Sequence, residues 1–352
     1  MKLIKTVDAE GAVLCHDITQ IIKGVTKDAV FRKGHIVTKE DIPVLLSVGK
    51  DQLYVWEKEA GMLHENDAAE VLCAMCKGEY MERSQAKEGK IELSAACDGL
   101  LKINNNGLKA VNGFGQMMIA TRHGNFAVKK GDKLAGTRII PLVIEEEKMT
   151  KAKEAAMAAT GNKPILDLLP FKHKKVGIVT TGNEVFYGRI KDTFTPVIEG
   201  KMAEFDTEII DHVTWNDDDT KVTASILDMI HKGADIVVCT GGMSVDPDDK
   251  TPLAIKNTGA DIVSYGAPVL PGAMFMLAYY QVTEGDDPRT VAIMGLPGCV
   301  MYAKRTIFDL VLPRVMADDK VTAEELAALG PGGLCLNCPV CTFPNCGFGK
   351  GV

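Results

Sequence analysis

The sequence predicts an α/β protein whose principal domain is a doubly wound, mostly parallel sheet, accompanied by an N-terminal α/β region and a small β-rich domain. From residue 172 onward, segments with the pattern of strands alternate with segments with the pattern of helices. The run ADIVVCTGG, residues 234–242, is nearly continuously apolar, as in a strand covered on both faces. Glycine turns follow two of these strands, TTGNE at residues 180–184 and TGG at residues 240–242. Together these features favour a parallel sheet with helices on both sides.

Each element of this domain follows from its local pattern. The predicted strands are VGIV, TEIIDHVTW, ADIVVC, ADIVSYG and TVAIMGLPG. The predicted helices are PVIEGKMAEF, DDTKVTASILDMIHKG and YAKRTIFDLVLPRVMA. A further helix is expected to begin at Thr251 as its cap, with Pro252 at the first helical position, where the missing proline N–H costs nothing.

Turn spacing and composition divide the rest of the chain. Residues 1–87 are predicted to form the N-terminal α/β region, and residues 88–145, with frequent glycine and asparagine turns, the small β-rich domain. Residues 146–171 are predicted to be a helix followed by a linker that contains two prolines and a glycine. The sheet domain is expected at residues 172–318, and residues 319–352 are expected to form a C-terminal helix and a cysteine-rich, metal-binding tail.

The composition is that of a soluble globular protein. The chain has 352 residues, of which 46% are hydrophobic and 25% charged, and its formal net charge is −7. A broad nucleic-acid surface is not expected, because phosphate backbones are bound by concentrated lysine and arginine. The sequence shows no signal peptide and no apolar run long enough to span a membrane, so a cytoplasmic protein is predicted.

Three loops are expected at the carboxyl edge of the sheet, where open α/β sheets bind ligands. Gly182, Gly241 and Gly242 lie in two of them and let the backbone approach an anion closely. Asp246, Asp248 and Asp249 follow the double glycine at once, and three neighbouring carboxylates repel one another. Two explanations reconcile these features: the aspartates bind a Mg²⁺ ion that bridges to substrate phosphates, or they take a proton in the reaction.

These pieces resemble a known family. The region from Lys172 to Ala317 resembles the molybdopterin-binding domain shared by molybdopterin adenylyltransferases and molybdopterin molybdenumtransferases. The matching pieces are TTGNE, KDT at residues 191–193, the aspartates at 217–218, TGGMSV with the downstream aspartate at 249, and GLPG at 295–298.

The resemblance implies a ligand and a set of site residues. The pterin dithiolate cofactor, or its adenylylated form, is expected in the crevice at these strand ends. Asp218, at a helix start, and Asp249, at the end of the TGG loop, are implied to be catalytic. The implied substrate-binding residues are Thr181, Gly182, Glu184, Asp192, Thr193, Gly241, Gly242, Ser244, Pro297 and Gly298.

Departures from the family pattern indicate a divergent relative. The N-terminal signature of the molybdenumtransferases is missing from residues 1–160. Leu270 and Ala273 stand where lysines are expected, and Cys299 and Val300 stand where the family has asparagine and proline. An oxyanion such as molybdate needs positive partners, so these changes weaken the case for molybdate insertion.

The chain ends in four closely spaced cysteines, Cys335, Cys338, Cys341 and Cys346. Their C-x2-C-x2-C-x4-C spacing is similar to the ferredoxin run that binds an iron–sulfur cluster. Zinc held by four thiolates is the second interpretation, and an unliganded tail is the third. The preceding PGG, residues 331–333, is interpreted as a flexible hinge.

The sequence therefore predicts a protein of molybdenum cofactor biosynthesis, an enzyme similar to molybdopterin molybdenumtransferases that performs Mg-dependent molybdenum or nucleotidyl transfer. One alternative is a non-catalytic carrier that delivers the cofactor to an apo-molybdoenzyme. Another is a nucleotide pyrophosphatase of the competence-damage type. A small-molecule pterin or nucleotide ligand and a homo-oligomer are expected, with neither nucleic acid nor membrane as a partner.

Overall fold

The computed structural model of the protein describes residues 2–22, 26–55, 60–247, 249–283 and 288–351, and for residues 26 and 27 the backbone alone. The chain forms two compact units, each assembled from separate stretches of sequence. The first unit comprises Met1–Ala96, Ile103–Arg122 and Lys130–Asp167. The second comprises Cys97–Lys102, His123–Lys129 and Leu168–Val352. None of the helices within the described ranges is long and apolar enough to span a bilayer.

The chain up to residue 170 is built mainly of short strands. Its strands are β1 Lys2–Lys5, β2 Ile18–Ile22, β3 Thr26–Phe31, β4 Gln52–Val55, β5 Met62–His64, β6 Met81–Arg83, β7 Lys90–Ala95, β8 Gly99–Ile103, β9 Met117–Thr121, β10 Phe126–Val128, β11 Lys133–Ile139, β12 Val143–Glu145 and β13 Leu166–Pro170. Its helices are α1 Asp41–Ser47, α2 Glu65–Cys76, α3 Asn105–Asn112 and α4 Glu146–Thr160. The largest sheet here is antiparallel, in the order β6-β7-β11-β9.

The rest of the chain forms a single larger sheet with helices. Its strands are β14 Lys174–Thr181, β15 Thr207–Trp215, β16 Ile236–Thr240, β17 Asp261–Tyr265, β18 Met276–Val282 and β19 Arg289–Leu296. Its helices are α5 Asn183–Phe186, α6 Thr195–Met202, α7 Asp219–His231, α8 Thr251–Asn257, α9 Ile307–Met316 and α10 Ala323–Ala327.

The sheet order is β15-β14-β16-β19-β18-β17. The first four strands are parallel, and β18 and β17 extend the sheet as antiparallel strands. Because Thr180 of β14 pairs with Thr240 of β16, and Thr240 with Leu296 of β19, the carboxyl ends of three strands lie at one level. The loops that follow these strands therefore begin at the same edge of the sheet.

Helices cover both faces of this sheet, which explains the continuous apolar run in β16. Ile236 and Val238 pack into one core with α6 and α9, whereas Val237 and Cys239 pack into the other with α7 and α8. All four side chains are fully buried. Burial of each aliphatic side chain contributes roughly 1.5–3 kcal/mol, so a strand that is apolar on both faces is strongly fixed at the centre.

The fold class predicted from the sequence is confirmed as a mixed α/β structure with a mostly parallel sheet. Local differences have identifiable causes. The predicted linker contains β13, whose Leu166 and Leu168 are fully buried, so burial outweighs the nearby proline and glycine signals. The predicted β-rich segment contains α3, which Asn104 caps by accepting a hydrogen bond from the Gly107 N–H. The boundaries of the predicted domains remain a prediction.

Candidate functional site

A cleft of about 650 Å³ lies beyond the carboxyl ends of β14, β16 and β19. It is lined by the loops that follow these strands, together with residues 190–194 and 270–274. Ten of the residues predicted for the site lie on its wall: Thr181, Glu184, Asp192, Thr193, Gly241, Gly242, Ser244, Asp249, Pro297 and Gly298. Of the remaining two, Gly182 and Asp218, the structure places neither on the lining of this cleft.

The double glycine makes the closest backbone approach in the cleft. Gly241 and Gly242 have φ angles of 83° and 53°, which are left-handed conformations that favour glycine. A Cβ atom on Gly241 would lie 2.1 Å from the carbonyl oxygen of Thr181, and one on Gly242 would lie 2.9 Å from Thr251 Oγ1. The two glycine loops therefore touch each other through backbone atoms, and no other residue type fits at Gly241 without displacement.

Buried threonine hydroxyls join the loops beneath the cleft. Thr181 Oγ1 lies 3.0 Å from Thr251 Oγ1 and 3.3 Å from the carbonyl oxygen of Thr240. Thr180 Oγ1 lies 3.0 Å from Thr195 Oγ1 at the start of α6. All five threonines are at most 6% exposed. Because buried hydroxyls are costly unless they are paired, this network fixes the relative positions of the two glycine turns.

Asp192 supports one wall of the cleft through hydrogen bonds. Its carboxylate accepts from the backbone N–H of Phe194 at 2.8 Å and of Thr195 at 3.1 Å, and from Thr195 Oγ1 at 2.5 Å. Burial alone would raise the pKa of Asp192, but the hydrogen bonds from Thr195 and Phe194 outweigh it and lower the pKa. The group is therefore a carboxylate that already serves as an acceptor for the protein itself.

Asp249 closes the acidic loop beside the double glycine. Its backbone N–H donates to the carbonyl oxygen of Asp246 at 2.9 Å, and its Oδ2 accepts from the Asp246 N–H at 3.4 Å. The pKa of the nearby Tyr265 phenol is raised by burial and, to a smaller extent, by the charge of Asp249. Asp248 lies outside the described residues.

Asp218 has a structural role that the structure shows directly. It is the N-cap of α7, where its side chain accepts from the Lys221 N–H at 3.2 Å, and it pairs with the Lys221 ammonium at 3.5 Å. The backbone hydrogen bond from Lys221 is the largest cause that lowers the pKa of Asp218. Asp217, its neighbour, accepts from the backbone N–H of Asn183 at 3.2 Å, so this helix start is linked to the first glycine loop.

Gly182 and Glu184 shape the first loop. Gly182 has a φ angle of 135°, and a Cβ atom there would lie 3.0 Å from a Glu184 carboxylate oxygen. The Glu184 side chain therefore folds back over the glycine while it lines the cleft.

The cleft also has a wall that the predicted site residues do not include. Leu270, Pro271 and Gly272 form part of it, as do Cys299 and Met301. The sequence does carry a signal for this loop, since Leu270 and Ala273 stand where the family has lysines. Among the described residues, the cleft is lined by one lysine, Lys191, and by three carboxylates, those of Glu184, Asp192 and Asp249, so its side-chain charges are mainly negative.

The four tail cysteines line a second cavity, of about 370 Å³, in the same unit. Cys338 and Cys341 are exposed, whereas Cys335 and Cys346 are half-buried and pack against the core under α9. Across the described residues, no three His, Cys, Asp or Glu side chains already stand in a geometry that could hold a metal ion.

The interpretation of residues 331–333 as a flexible hinge is wrong. A Cβ on Gly333 would lie 2.2 Å from the carbonyl oxygen of Pro268, and one on Gly332 would lie 2.8 Å from that of Gly347. Both glycines therefore permit close packing of the tail rather than free movement.

The fold and the cleft define the class of protein: an open α/β sheet that presents a ligand cleft beyond the carboxyl ends of its parallel strands. Comparison with known families agrees with this class. Residues 177–317 match the family described as "Probable molybdopterin binding domain". Residues 177–317 are therefore a divergent molybdopterin-binding domain. Residues 3–57 match a separate family described as "Domain of unknown function (DUF8806)".

Curated relatives cover only a small part of the chain. A CinA-like protein of Mycobacterium tuberculosis is 32% identical over 77 residues, which are 22% of this chain and 18% of that protein. A CinA-like protein of Syntrophus aciditrophicus is 39% identical over 81 residues, or 23% of this chain and 19% of that protein. The chain thus matches less than a fifth of the length of these relatives.

Solved structures give weak superpositions. The tungsten cofactor synthesizing protein MoaB from Pyrococcus furiosus is 21% identical, with a TM-score of 0.32, over 42% of this chain and 89% of that one. A molybdenum cofactor biosynthesis protein from the same organism is 10% identical, with a TM-score of 0.24, over 90% of this chain and 62% of that one. The family assignment rests on the match of residues 177–317 and not on these superpositions.

Proposed function

We propose that the protein binds molybdopterin, or its adenylylated form, in the 650 Å³ cleft and acts on it in molybdenum cofactor biosynthesis. One observation carries this proposal: in a domain of the molybdopterin-binding family, the TTG and TGG loops and Asp249 all line one cleft. The volume is within the range of pockets for small ligands, roughly 300–1,000 Å³.

The cleft fits a phosphorylated pterin at its glycine end. Gly241 and Gly242 carry no side chain between their backbone and a ligand, and backbone N–H groups in such turns suit a phosphate. The apolar wall of Leu270, Pro271 and Met301 suits the flat face of a pterin ring. Under this proposal, Thr181, Thr193 and Ser244 supply further hydrogen bonds, and Pro297 and Gly298 bound the opposite side.

The charges of the cleft fit a Mg²⁺ ion that accompanies the ligand. Three carboxylates and one lysine would repel a phosphate unless a cation is bound with it. Mg²⁺ is commonly held by one or two carboxylates plus substrate phosphates. Asp249 is the proposed carboxylate ligand, because the oxygens of Asp192 already accept hydrogen bonds from Phe194 and Thr195. When bound, the ion would neutralise phosphate charge.

The proposed activity is a Mg-dependent molybdenum or nucleotidyl transfer. The residues of this chain would contribute positioning: the glycine turns orient the phosphate, and the threonine network keeps those turns rigid. Asp249, which lines the cleft, is the proposed catalytic residue, and Asp218, which does not line it, is proposed as a positioning residue. The carboxylate of Asp218 caps α7, so its proposed role is to hold the helix start beside the first loop.

A second candidate function is a non-catalytic carrier that delivers the finished cofactor to an apo-molybdoenzyme. Leu270 and Ala273 favour this function, because both line the cleft where lysines would be expected to hold molybdate. A nucleotide pyrophosphatase is a third candidate, favoured by the matches to CinA-like proteins. A homo-oligomer and a cytoplasmic location remain proposals, as does a tail metal centre, either iron–sulfur or zinc.

The test uses molybdopterin released anaerobically from a denatured molybdoenzyme, and detects bound pterin as its fluorescent oxidation product. We expect the full-length protein to bind it in a Mg²⁺-dependent manner, and Asp249→Asn to lose at least about tenfold in affinity, which equals about 1.4 kcal/mol. Asp261→Asn, on the exposed surface of β17, is the matched control. Molybdate-dependent turnover would support the transferase and its absence the carrier, whereas hydrolysis of ADP-ribose without pterin binding would overturn the proposal.

A further inference from the structure

The tail that carries the four cysteines is a closed loop docked on the sheet domain. Its two ends meet where the Gly349 N–H donates to the carbonyl oxygen of Gly332 at 3.0 Å. Phe348, near the end of the loop, is 4% exposed within the core. Phe343 packs edge-on against Phe126 with ring centroids 5.6 Å apart. The cysteines are thus held on an anchored loop and not on a free terminus.

The four thiols line one cavity, and within the described residues no three of them converge as the ligands of a single ion would. The cavity has a volume of about 370 Å³, and its wall also includes residues 302–305 and 347–348. A tetrahedral zinc ion needs its four sulfur atoms about 2.3 Å away, and the thiols do not stand in that arrangement. In a cubane cluster an iron–sulfide core stands between the thiolates, and the C-x2-C-x2-C run has the ferredoxin spacing.

The cavity wall adds positive charge. Lys304 lines it, and Lys304 Nζ donates to the carbonyl oxygen of Pro339 at 3.3 Å, between the second and third cysteines. Arg305 also lines it, but its guanidinium is paired with Glu204 and Asp309. Four thiolates around a cluster carry net negative charge, so a nearby ammonium favours the loaded form.

The cysteine loop is joined directly to the wall of the pterin cleft. The Leu270 N–H donates to the carbonyl oxygen of Gly333, and the Cys335 N–H donates to the carbonyl oxygen of Leu270, both at 2.8 Å. Leu270 lines the cleft, and Cys335 lines the cysteine cavity. A second connection is the segment 297–305, which lines the cleft at Met301 and the cysteine cavity at Tyr302.

We infer that the four cysteines bind a [4Fe–4S] cluster, and that its presence holds Leu270 in place and so controls the affinity of the cleft for its pterin ligand. The second half of this inference rests on the proposed function, whereas the first half does not. Coupling between two sites is reciprocal, so the bound ligand would also raise the affinity of the cysteines for the cluster.

No electron transfer by the protein is required. The cluster is assembled from two ferrous, two ferric and four sulfide ions, and four Fe–S bonds to cysteine form as the four thiols lose their protons to solvent. The charge of the iron–sulfide core does not change while these bonds form.

The first experiment tests the cluster alone, through iron and sulfide content and visible absorption after anaerobic reconstitution. We expect about four irons per chain in the wild type and in Val340→Ser, a control within the same loop whose side chain is 75% exposed. The double variant Cys338→Ser/Cys341→Ser should lose the cluster, and it leaves the two core-packed cysteines intact. Stoichiometric zinc that iron and sulfide cannot replace, or iron that persists in the double variant, would overturn the assignment.

The second experiment measures molybdopterin binding to the loaded and cluster-free full-length protein. We expect at least about fivefold weaker binding without the cluster. Gly333→Ala should bind the cluster but abolish this difference, because its Cβ would lie 2.2 Å from the Pro268 carbonyl oxygen and displace the loop from Leu270. Amide hydrogen exchange of residues 268–273 tests the coupling in the wild-type protein, without relying on this variant to fold. We expect the exchange of these amides to be faster in the cluster-free protein than in the loaded protein.

These results separate the two proposals. Equal affinity and equal exchange in the two forms would overturn the coupling while leaving the cluster and the proposed function intact. If neither form binds the pterin, the proposed function and the coupling both fail, and the iron content still decides the cluster.

Discussion

Substitution of Gly241 by alanine tests whether backbone contact between the two glycine loops determines the cleft. The added Cβ would lie 2.1 Å from the carbonyl oxygen of Thr181, well inside an ordinary contact of 3.4–4 Å. The φ angle of 83° adds a left-handed penalty of about 1–2 kcal/mol. Overpacking of this kind typically costs about 1–3 kcal/mol, so the total expected loss is about 2–5 kcal/mol in the free energy of unfolding.

Gly259→Ala is the matched control for this prediction. Its φ angle of 81° is nearly the same, but nothing lies within 4 Å of the added Cβ. We therefore expect Gly259→Ala to lose only the left-handed penalty of about 1–2 kcal/mol. Urea denaturation followed by circular dichroism measures both. If the two variants differ by less than about 0.5 kcal/mol, the claim that the loops are in obligatory contact is refuted, because independent substitutions deviate from additivity by about that amount.

Three further predictions concern charges and thiols of the sheet domain. The pKa of Asp192 is lower in the folded state than in the unfolded state, so its carboxylate should stabilise the protein above the unfolded pKa, and this stabilisation should be lost as the pH falls through the folded pKa. The stability difference between wild type and Asp192→Asn, measured by thermal unfolding across pH, should therefore vanish at low pH. A difference that stays constant with pH would contradict this. Lys201 and Asp309 form a buried ion pair, 2.6 Å apart, in which Asp309 also pairs with Arg305 at 2.9 Å. Lys201→Ala should therefore cost less, in denaturant unfolding, than the roughly 3–5 kcal/mol typical of a buried pair that loses its only partner. The double variant Lys201→Met/Asp309→Leu should cost less than the sum of its two single changes. Burial raises the pKa of the Cys239 thiol to about 12, so in the metal-free native protein at pH 8 iodoacetamide should modify the exposed Cys338 but not Cys239, as peptide mass spectrometry would show.

The sheet domain could be predicted well because its signals are local and agree with one another. The apolar run of β16 reports burial on two faces, and both cores are present around it. Asp218 was predicted at a helix start, and it caps α7. Thr251 was predicted as the cap of α8, whereas it is the first helical residue after Lys250, a displacement of one position.

The rest of the site depends on contacts between distant parts of the chain, which a sequence pattern does not encode. The antiparallel pairing of β18 with β19 and the position of Leu270 on the cleft wall both follow from how the chain returns after β17. The threonine network likewise joins residues 15 to 70 positions apart. Single threonines carry no signal that would identify such partners, although their concentration in the glycine loops is visible in the sequence.

The interleaving of the two units has a consequence for how the chain is made. It passes from one unit to the other after residues 96, 102, 122, 129 and 167. On the ribosome, the two early strands β8 and β10 of the second unit emerge long before the large sheet domain that belongs with them. These two strands pair with each other, so this contact does not depend on the sheet domain being complete, and no single proteolytic cut releases either unit whole.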